Sequence, residues 1–405
     1  MKSLYDLYSE EKESYYGIEI SVDDLFEENA GENDECEEFI KQHFKLGKKM
    51  RLMDIDFIRE YKRKGKHIHT VSLYLLGASA YSYFGKKNIK ENLEKNLKRF
   101  LPHLDKWYDF KYTWYLTTMY HDLASCIEIG KIASNDSEVH KSLDFHLGEN
   151  DIFYSPYEVF PYKEHEIPFR FSQNLIKNYF YYRASMGACE HGILAGYLFF
   201  DRFIKWILER TSDLELRDKD AWTKNENIEL DNLNYNKEFV AHTAYIADAI
   251  ICHNIWMGGE NEKEIYSTYG LTPLLYTEHS ENRLSAYKFP LQFILCFLDT
   301  IEPIKRFSDK LEPLDILKNI YIDFGKDNKN NIIIDISWKN KIEISREFER
   351  WKTSILSLEN WMQVGCEQIK NNSLRITINK KCQEDFRSNS EKCFYLNNLN
   401  GMSSR

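Results

Sequence analysis

Polar side chains with metal-binding chemistry interrupt five otherwise apolar segments of this sequence. They are His69, the adjacent pair His121 and Asp122, His191, His253 and Asp299. Burying a lone imidazole or carboxylate among apolar residues costs several kcal/mol unless the group is paired or binds a cation. Four imidazoles and two carboxylates therefore predict a site for divalent metal ions, held together by the elements that carry them.

Those elements are predicted to be helices. Apolar residues recur at helical spacing over about 68–84, 186–210, 236–257 and 288–307, and a further helix is expected to include His121 and Asp122. Pro303 is expected just past the last turn of the helix that carries Asp299. The stretch 134–172 lacks periodicity and is predicted to be a long loop of the kind that often serves as a functional lid.

Helix geometry selects between neighbouring histidines. His67 and His69 point in roughly opposite directions on one helix, so only one can bind, and His69 continues a stripe of small and apolar residues. His242 and His253 are eleven residues apart, or about 16 Å along a helix axis, so they cannot bind the same ion. His253 lies deep in an apolar run, whereas His242 is near the helix start, where a solvated histidine is common.

The order His, His-Asp, His, His, Asp on successive helices resembles the HD-domain superfamily of metal-dependent phosphohydrolases. This is a helical fold in which such residues ring one or two divalent ions. The resemblance covers about residues 50–310 and depends on the six residues named above. It implies that His69, His121, Asp122 and Asp299 bind the first ion. It also implies that Asp122 bridges to a second ion held by His191 and His253.

The resemblance further implies one or two ions of Mn, Fe, Co, Ni, Mg or Zn, and hydrolysis of a phosphate ester or anhydride by metal-activated water. Asp122 and His121 are the candidate catalytic residues, with Glu190 orienting the imidazole of His191. Many family members carry a basic pair soon after the His-Asp dipeptide, but Leu123 and Ala124 follow it here. A lysine that touches phosphate must therefore come from elsewhere.

Cations just outside the predicted ligand helices are candidates for binding the substrate. They are Arg183, Lys288, Lys305 and Arg306, each of which is alternatively an ordinary surface cation. The aromatic segment 153–169 is expected either to cover a base or sugar of the substrate by stacking or to form a packed surface loop. Taken singly, a buried histidine is more often a satisfied core residue, and Asp299 alone is explained by an ion pair with Lys305 or Arg306.

The predicted fold is mainly α: an HD-type helical bundle with a small C-terminal α+β appendage. Residues 1–48 are expected to form a charged, solvated arm, 49–310 the hydrolase domain, 311–380 the appendage and 381–405 a polar tail. In the appendage, NIYIDFG and NIIIDISW predict a hairpin, EFERWKTSILSLENWM a helix and SLRITI a third strand. Elsewhere, Asp201 and Asp248 are expected to face solvent or to cap side chains.

Composition restricts the partners. A net charge of −10 argues against a protein that coats long nucleic acid and favours a small phosphorylated substrate such as a nucleotide. Eight cysteines without a CxxC pair, no apolar run of membrane-spanning length and a charged N-terminus predict a soluble, cytoplasmic protein that binds no membrane. The sequence does not indicate the oligomeric state.

Three other functions remain open. A nuclease acting on single-stranded nucleic acid would use the basic segment 41–66 as an electrostatic track. A ligand-sensing or protein-binding module would keep a vestigial metal site and contact its partner through the appendage. Some relatives of the fold use the same ligands for di-iron oxygenation, which would require oxygen.

Overall fold

A mainly helical structure with a small antiparallel sheet accounts for the described part of the chain. The structure is a computed structural model that describes residues 2–13, 22, 66–84, 110–126, 137–159, 169–188, 190–210, 227–230, 233–286, 288–307, 311–327, 331–339, 346–370 and 372–378. The predicted polar tail 381–405 lies outside these residues.

Ten described helices have seven or more residues. They are α1 (Leu4–Glu13), α2 (Lys66–Phe84), α3 (Phe110–Tyr120), α4 (Leu143–Glu149), α5 (Gln173–Ser185), α6 (His191–Arg210), α7 (Lys237–Cys252), α8 (Pro290–Ile301), α9 (Pro313–Asn319) and α10 (Arg346–Leu356). Shorter helices are Pro156–Val159, Lys263–Thr268, Ile304–Phe307 and Leu358–Trp361. The prediction of a mainly α fold with a small sheet near its C-terminal end is confirmed.

Two central helices are buried on nearly every side. Residues 71–80 of α2 are all buried, and so is every residue of α8 except Asp299. A helix that is apolar all round belongs in a core, as these compositions predict. Helices α6 and α7 approach closely at Gly196, where an added Cβ would lie 2.6 Å from the carbonyl oxygen of Ala247. Glycine is required there by the helix packing.

The described strands are β1 (Lys2–Ser3), β2 (Asn227–Leu230), β3 (Leu233–Asn236), β4 (Ile320–Lys326), β5 (Ile332–Trp338), β6 (Gly365–Lys370) and β7 (Ser373–Ile378). Five of them form one antiparallel sheet in the order β1-β4-β5-β7-β6, while β2 and β3 form a separate hairpin. Alternate residues of β5 are buried, as expected of a sheet with one face on the core. The predicted hairpin and third strand are thus present.

Helix α10 connects the sheet to the helical core. Its apolar residues Phe348, Trp351 and Ile355 are buried at helical spacing. The ring of Trp351 packs against Trp338 of β5, and its indole N–H donates to the carbonyl of Ile301 at the end of α8 at 3.3 Å. The described part of the appendage is therefore packed directly on the helix that carries Asp299.

The N-terminus departs from the expected solvated arm. Strand β1 pairs with β4, and in α1 the side chains of Leu4 and Tyr8 are completely buried. The apolar residues of LYDLYSEEKE recur at helical spacing, and burying them against α2 and α9 stabilises the segment more than its charges favour solvation. The expectation of a solvated arm is wrong for residues 2–13; residues 14–48, apart from 22, lie outside the described part.

The predicted loop 134–172 contains regular structure, since helix α4 and the helix Pro156–Val159 lie within it. Ser142 and Ser172 accept hydrogen bonds from backbone N–H groups three residues ahead and so cap α4 and α5. These serine caps are sequence signals that the periodicity analysis overlooked. Residues 160–168 of the proposed aromatic cover lie outside the described residues.

None of the described helices combines the length and the apolar character needed to cross a membrane.

Candidate metal centre

Most of the predicted ligands lie at helix ends rather than inside helices. His121 and Asp122 directly follow α3, His253 directly follows α7, and His191 is the first residue of α6. The last four carbonyls of a helix lack backbone partners within it. The Nδ1 atom of His121 lies 2.6 Å from the carbonyl oxygen of Thr118, and that of His253 lies 2.6 Å from Ile250 O. Each imidazole thereby satisfies a carbonyl at the end of its own helix.

The first cluster joins His69, His121 and Asp299. The Nε2 atom of His69 lies 3.2 Å from His121 Nε2 and 3.0 Å from Asp299 Oδ1, and His121 Nε2 lies 3.7 Å from Asp299 Oδ1. One ligand atom from each of the three residues falls within 4.8 Å of the others. These separations allow a single ion to contact all three residues.

The second cluster shares His121 and adds Asp122 and His253. One ligand atom from each of these three residues again falls within 4.8 Å of the others. The Nε2 atom of His191 lies 2.9 Å from Asp122 Oδ1, and the ring centroids of His191 and His253 are 5.9 Å apart. Asp122 therefore stands between the two groups, since its Oδ2 atom lies 3.6 Å from His121 Nε2. The structure brings all six predicted ligands together.

A glycine makes this close arrangement possible. A Cβ atom at Gly192 would lie 2.6 Å from Cε1 of His253. Any side chain at this position would displace the imidazole that faces His191 and Asp122. Asn254, the residue after His253, places its Nδ2 atom 2.9 Å from His191 Nε2.

The outer hydrogen bonds fix which nitrogen of each central imidazole faces the cluster. Nδ1 of His121 and His253 must donate, because their partners are carbonyl oxygens, and Nδ1 of His69 faces Glu302 Oε2 at 2.7 Å. In the neutral ring the Nε2 atom then carries the lone pair. When the three rings are neutral, their Nε2 lone pairs thus converge with the carboxylates. An outer acceptor on Nδ1 is the arrangement that orients histidine ligands for metal ions.

Lys305 is the nearest positive charge. Its Nζ atom lies 3.2 Å from Asp299 Oδ1 and 3.6 Å from Asp122 Oδ2. Burial raises the pKa of Asp299, but the charge of Lys305 and the contacts with His121 and His69 outweigh this and hold it well below its usual value. Burial lowers the pKa of Lys305, but the two carboxylates outweigh it and leave the pKa raised. Lys305 and Asp299 are therefore charged.

The chemistry of the donor set fits a divalent cation. Nε2 of His253 is buried and has no hydrogen-bond partner among the described residues. Burial, followed by the nearby His121, lowers the pKa of His253 to about 3, so the ring is neutral and offers a lone pair. A buried lone pair without a donor costs free energy that a bound cation recovers. Imidazole nitrogens with carboxylate oxygens suit Mn, Fe, Co, Ni or Zn.

The histidine rejected during sequence analysis lies apart from the cluster. His242 is 1 % exposed, with Nε2 at 3.1 Å from the hydroxyl of Thr113, so the expectation that it is solvated is wrong. Helix α7 carries it into the core about three turns before His253. Selecting His253 over His242 agrees with the observed clustering.

The remaining predicted residues have different surroundings. Glu190 is 4 % exposed and accepts a hydrogen bond from Nε of Arg183, so its described partner is this guanidinium rather than His191. Arg306 is exposed, one residue beyond Lys305. Lys288 lies just before α8, at the end opposite Asp299, which is about 14 Å away along the helix. Of these four cations, the described contacts place Lys305 against the clustered carboxylates.

Sequence reasoning missed Glu302, which is completely buried and contacts His69. It lies in the same apolar run as Asp299, directly before Pro303, so a second carboxylate at the end of an apolar helix was the available signal. Its proximity to His69, 233 positions earlier, was not visible in the sequence.

The cluster is partly open to solvent. The side chains of His69, His121 and Asp122 are at most 2 % exposed, whereas those of His191, Lys305 and Asp299 are 30 %, 20 % and 14 % exposed. A ligand that approaches from solvent would therefore meet His191, Lys305 and Asp299 first.

Comparisons of the chain with protein-family models, with curated proteins and with solved structures gave no match.

Proposed function

We propose that this protein is a metal-dependent phosphohydrolase with an HD-type helical domain. Its substrate would be a phosphate ester or anhydride of a nucleotide or related small phosphorylated molecule. The observation that carries the proposal is the convergence of three Nε2 lone pairs and two carboxylates beside Lys305, on the partly open side of the core. The net charge of −10 favours a small substrate, and the free cysteines favour a cytoplasmic location.

His69, His121 and Asp299 would hold one divalent ion, and Asp122 would be shared with a second ion bound by His191 and His253. Bound there, such ions would act as Lewis acids that activate water and stabilise charge on a phosphoryl group. The protein residues fix the geometry: the outer acceptors orient the imidazoles, and burial prevents protonation of His253.

Lys305 supplies the cation that the family pattern places soon after the dipeptide. Its side chain is 20 % exposed and already lies against both Asp122 and Asp299. Once divalent ions neutralise these carboxylates, the ammonium group can instead donate to a phosphate oxygen. A flexible side chain with three donors suits that exchange of partners.

The alternatives have less support. The basic segment 41–66, on which a nuclease would depend, lies outside the described residues apart from Lys66, and the net charge of −10 favours a small substrate over a long polymer. A sensor with a vestigial site would not need a lysine beside the carboxylates or an opening at His191. We therefore retain hydrolysis of a small phosphate compound as the proposed function.

The direct test is a screen of the purified full chain. Nucleoside mono-, di- and triphosphates, oligonucleotides and bis(p-nitrophenyl) phosphate would be incubated with Mn²⁺, Mg²⁺, Co²⁺ or Ni²⁺, and product release would be measured. We expect turnover of at least one nucleotide that EDTA abolishes. Binding of metal without release of any product would refute the proposal and favour the sensor.

A matched pair of variants assigns that turnover to the cluster. His121→Ala combined with Asp122→Ala should abolish it and leave the helical circular dichroism unchanged. His140→Ala removes an exposed imidazole from the 3₁₀ helix Glu138–Lys141 and should retain wild-type turnover. Equal turnover in the double variant and the wild type would place the activity elsewhere.

A further inference from the structure

Glu302 is a buried carboxylate, and each described group that contacts its oxygens is a hydrogen-bond donor. Its Oε1 atom accepts from the hydroxyl of Ser72 at 2.5 Å and from the N–H of Ile304 at 2.9 Å. Its Oε2 atom lies 2.7 Å from Nδ1 of His69 and 3.1 Å from the N–H of Lys305. A side chain that is 0 % exposed and fully hydrogen-bonded has one defined orientation.

These bonds join three parts of the fold. His69 and Ser72 are three residues apart on α2 and so lie on the same face, which lets one carboxylate contact both. The backbone of Ile304 and Lys305 begins the helix that follows Pro303. On the far side, the phenol oxygen of Tyr8 in α1 lies 2.9 Å from the hydroxyl of Ser72. The chain of contacts Tyr8–Ser72–Glu302–His69 therefore runs from the N-terminal helix to the candidate metal centre.

We infer that Glu302 is the positioning residue of the metal centre: it holds the proton of His69 on Nδ1, so that Nε2 faces the ions, and it anchors the backbone of Lys305. The Tyr8–Ser72 pair fixes the carboxylate itself. The inference rests on the proposed function only in taking His69 as a metal ligand. Glu302 acts through its contacts with His69 and Lys305.

The charge of Glu302 distinguishes His69 from its neighbours. The Nδ1 atoms of His121 and His253 face backbone carbonyls, which no substitution removes. The Nδ1 atom of His69 faces a carboxylate, which also makes the imidazole a stronger donor to a metal ion. Loss of such an outer partner typically weakens metal affinity by about 10- to 100-fold.

Glu302→Gln is the sharpest substitution, because it conserves shape and removes one acceptor. The amide NH₂ group must face either the Lys305 N–H and His69 Nδ1 or the Ile304 N–H and Ser72 hydroxyl. Two donors then oppose each other in either orientation. Tyr8→Phe is a milder test that removes the hydroxyl group at the distant end of the contact chain.

Two measurements would be made on the full chain. The first is Mn²⁺ affinity by titration calorimetry. The second is the ¹⁵N NMR signature of the His69 ring in metal-free protein, at a pH where the imidazole is neutral. Tyr5→Phe is the control for Tyr8→Phe on the same helix, and Asp335→Asn removes a carboxylate that pairs with Arg375 in the sheet.

We expect Glu302→Gln to weaken Mn²⁺ binding about 10- to 100-fold and to move the His69 proton toward Nε2. Tyr8→Phe should weaken binding about two- to fivefold, and both controls should bind like the wild type. Wild-type affinity in Glu302→Gln would overturn the inference, as would a loss of affinity without a tautomer change. If that variant does not fold, wild-type affinity and tautomer in Tyr8→Phe overturn it.

The two proposals fail differently. If the wild type hydrolyses no phosphate compound but the His69 tautomer depends on Glu302, the proposed function is wrong and the positioning role stands. If metal-dependent hydrolysis occurs and Glu302→Gln retains the wild-type tautomer and Mn²⁺ affinity, only the positioning role is wrong.

Discussion

Two carboxylate sites in the helical core have opposite surroundings. Asp122 is completely buried and, together with Asp299, faces imidazoles whose Nε2 atoms carry lone pairs, with Lys305 as the nearby cation. Asp248 is also completely buried but is surrounded by donors. These donors are the hydroxyl of Tyr157 at 2.7 Å, the N–H of Arg170 at 3.3 Å, the side-chain amide of Gln292 and the thiol of Cys252 at 3.5 Å.

The difference separates a candidate functional site from a structural one. Imidazole and carboxylate acceptors that converge on one another form a site that a bound cation would stabilise. An acceptor surrounded by donors is satisfied within the fold. Asp248 connects the segments before and after 160–168 to helix α7, since Tyr157 precedes and Arg170 follows that stretch. The same residue type thus serves different roles because its neighbours differ.

The largest expected effect is the difference in metal-dependent turnover between Asp122→Asn and Asp248→Asn. Asp122→Asn should lower metal-dependent turnover by about a thousandfold, or about 4 kcal/mol of transition-state stabilisation, because it removes the carboxylate that both clusters share. Asp248→Asn should retain turnover within about twofold of the wild type. The measurement is kcat/KM at saturating Mn²⁺. Equal losses in the two variants would remove the distinction between the sites.

The pH dependence of the free energy of unfolding should reveal the protonation of Asp248. Burial raises the pKa of Asp248 from 3.8 to about 6, although hydrogen bonds from Tyr157 and Arg170 oppose this. The folded protein then binds the proton more tightly than the unfolded chain does, so this carboxyl's contribution to stability is full below pH 3.8 and falls as the pH rises to about 6. The loss should amount to about 3 kcal/mol.

Urea unfolding of metal-free wild type and Asp248→Asn at both ends of that window isolates the effect, because the other titrating groups are common to both proteins. The stability of the wild type relative to the variant should fall with rising pH. A difference that is independent of pH would show that the Asp248 carboxyl titrates alike in the folded and unfolded states.

Metal binding should stabilise the protein through the Asp122 site and not through the Asp248 site. At a free Mn²⁺ concentration of about 100 times its Kd, the free energy of unfolding should rise by about 2.7 kcal/mol in the wild type and in Asp248→Asn. In Asp122→Asn the rise should be clearly smaller at the same concentration, because the carboxylate shared by the two clusters is lost. Thermal unfolding with and without EDTA measures it, and a full rise in Asp122→Asn would show that the ion binds elsewhere.

The smallest expected effect is that of Tyr157→Phe. Removing this hydroxyl deprives the Asp248 carboxylate of a donor and should destabilise the fold by about 2 kcal/mol above pH 6. Mn²⁺ affinity should equal that of the wild type. A change in Mn²⁺ affinity larger than twofold would indicate that the two regions are coupled and would weaken the comparison.

Local patterns predicted much of the fold. Apolar spacing located α2, α6, α7 and α8, and the alternating runs located β4 and β5. The helix ends were less accurate, since the His121-Asp122 pair follows α3 instead of lying within it. Apolar periodicity continues through a turn whose side chains still face the core, so periodicity alone does not show where the helical backbone ends.

The sequence predicted the six residues of the candidate metal centre, but it did not predict which neighbouring residues contact and orient them. His69, His121, Asp122, His191, His253 and Asp299 stood out because each is a costly polar group in an apolar segment. Glu190 was expected to orient His191 but contacts Arg183, and Lys305 was not separable from Arg306 before the structure was known. Orientation depends on contacts between distant segments, which sequence spacing does not specify.

The sequence by itself determined that helices would carry these histidines and aspartates into an apolar core, because periodicity and burial cost are local properties of the chain. Tertiary structure alone decided which nitrogen of each imidazole faces the cluster and that Lys305 rather than Arg306 approaches the carboxylates. It also decided that Glu302 contacts His69 and that Tyr8 is linked to Glu302 through Ser72. The physical reason is that hydrogen-bond direction and charge pairing act over a few Å in space. Segments more than 200 residues apart come within that range only after folding.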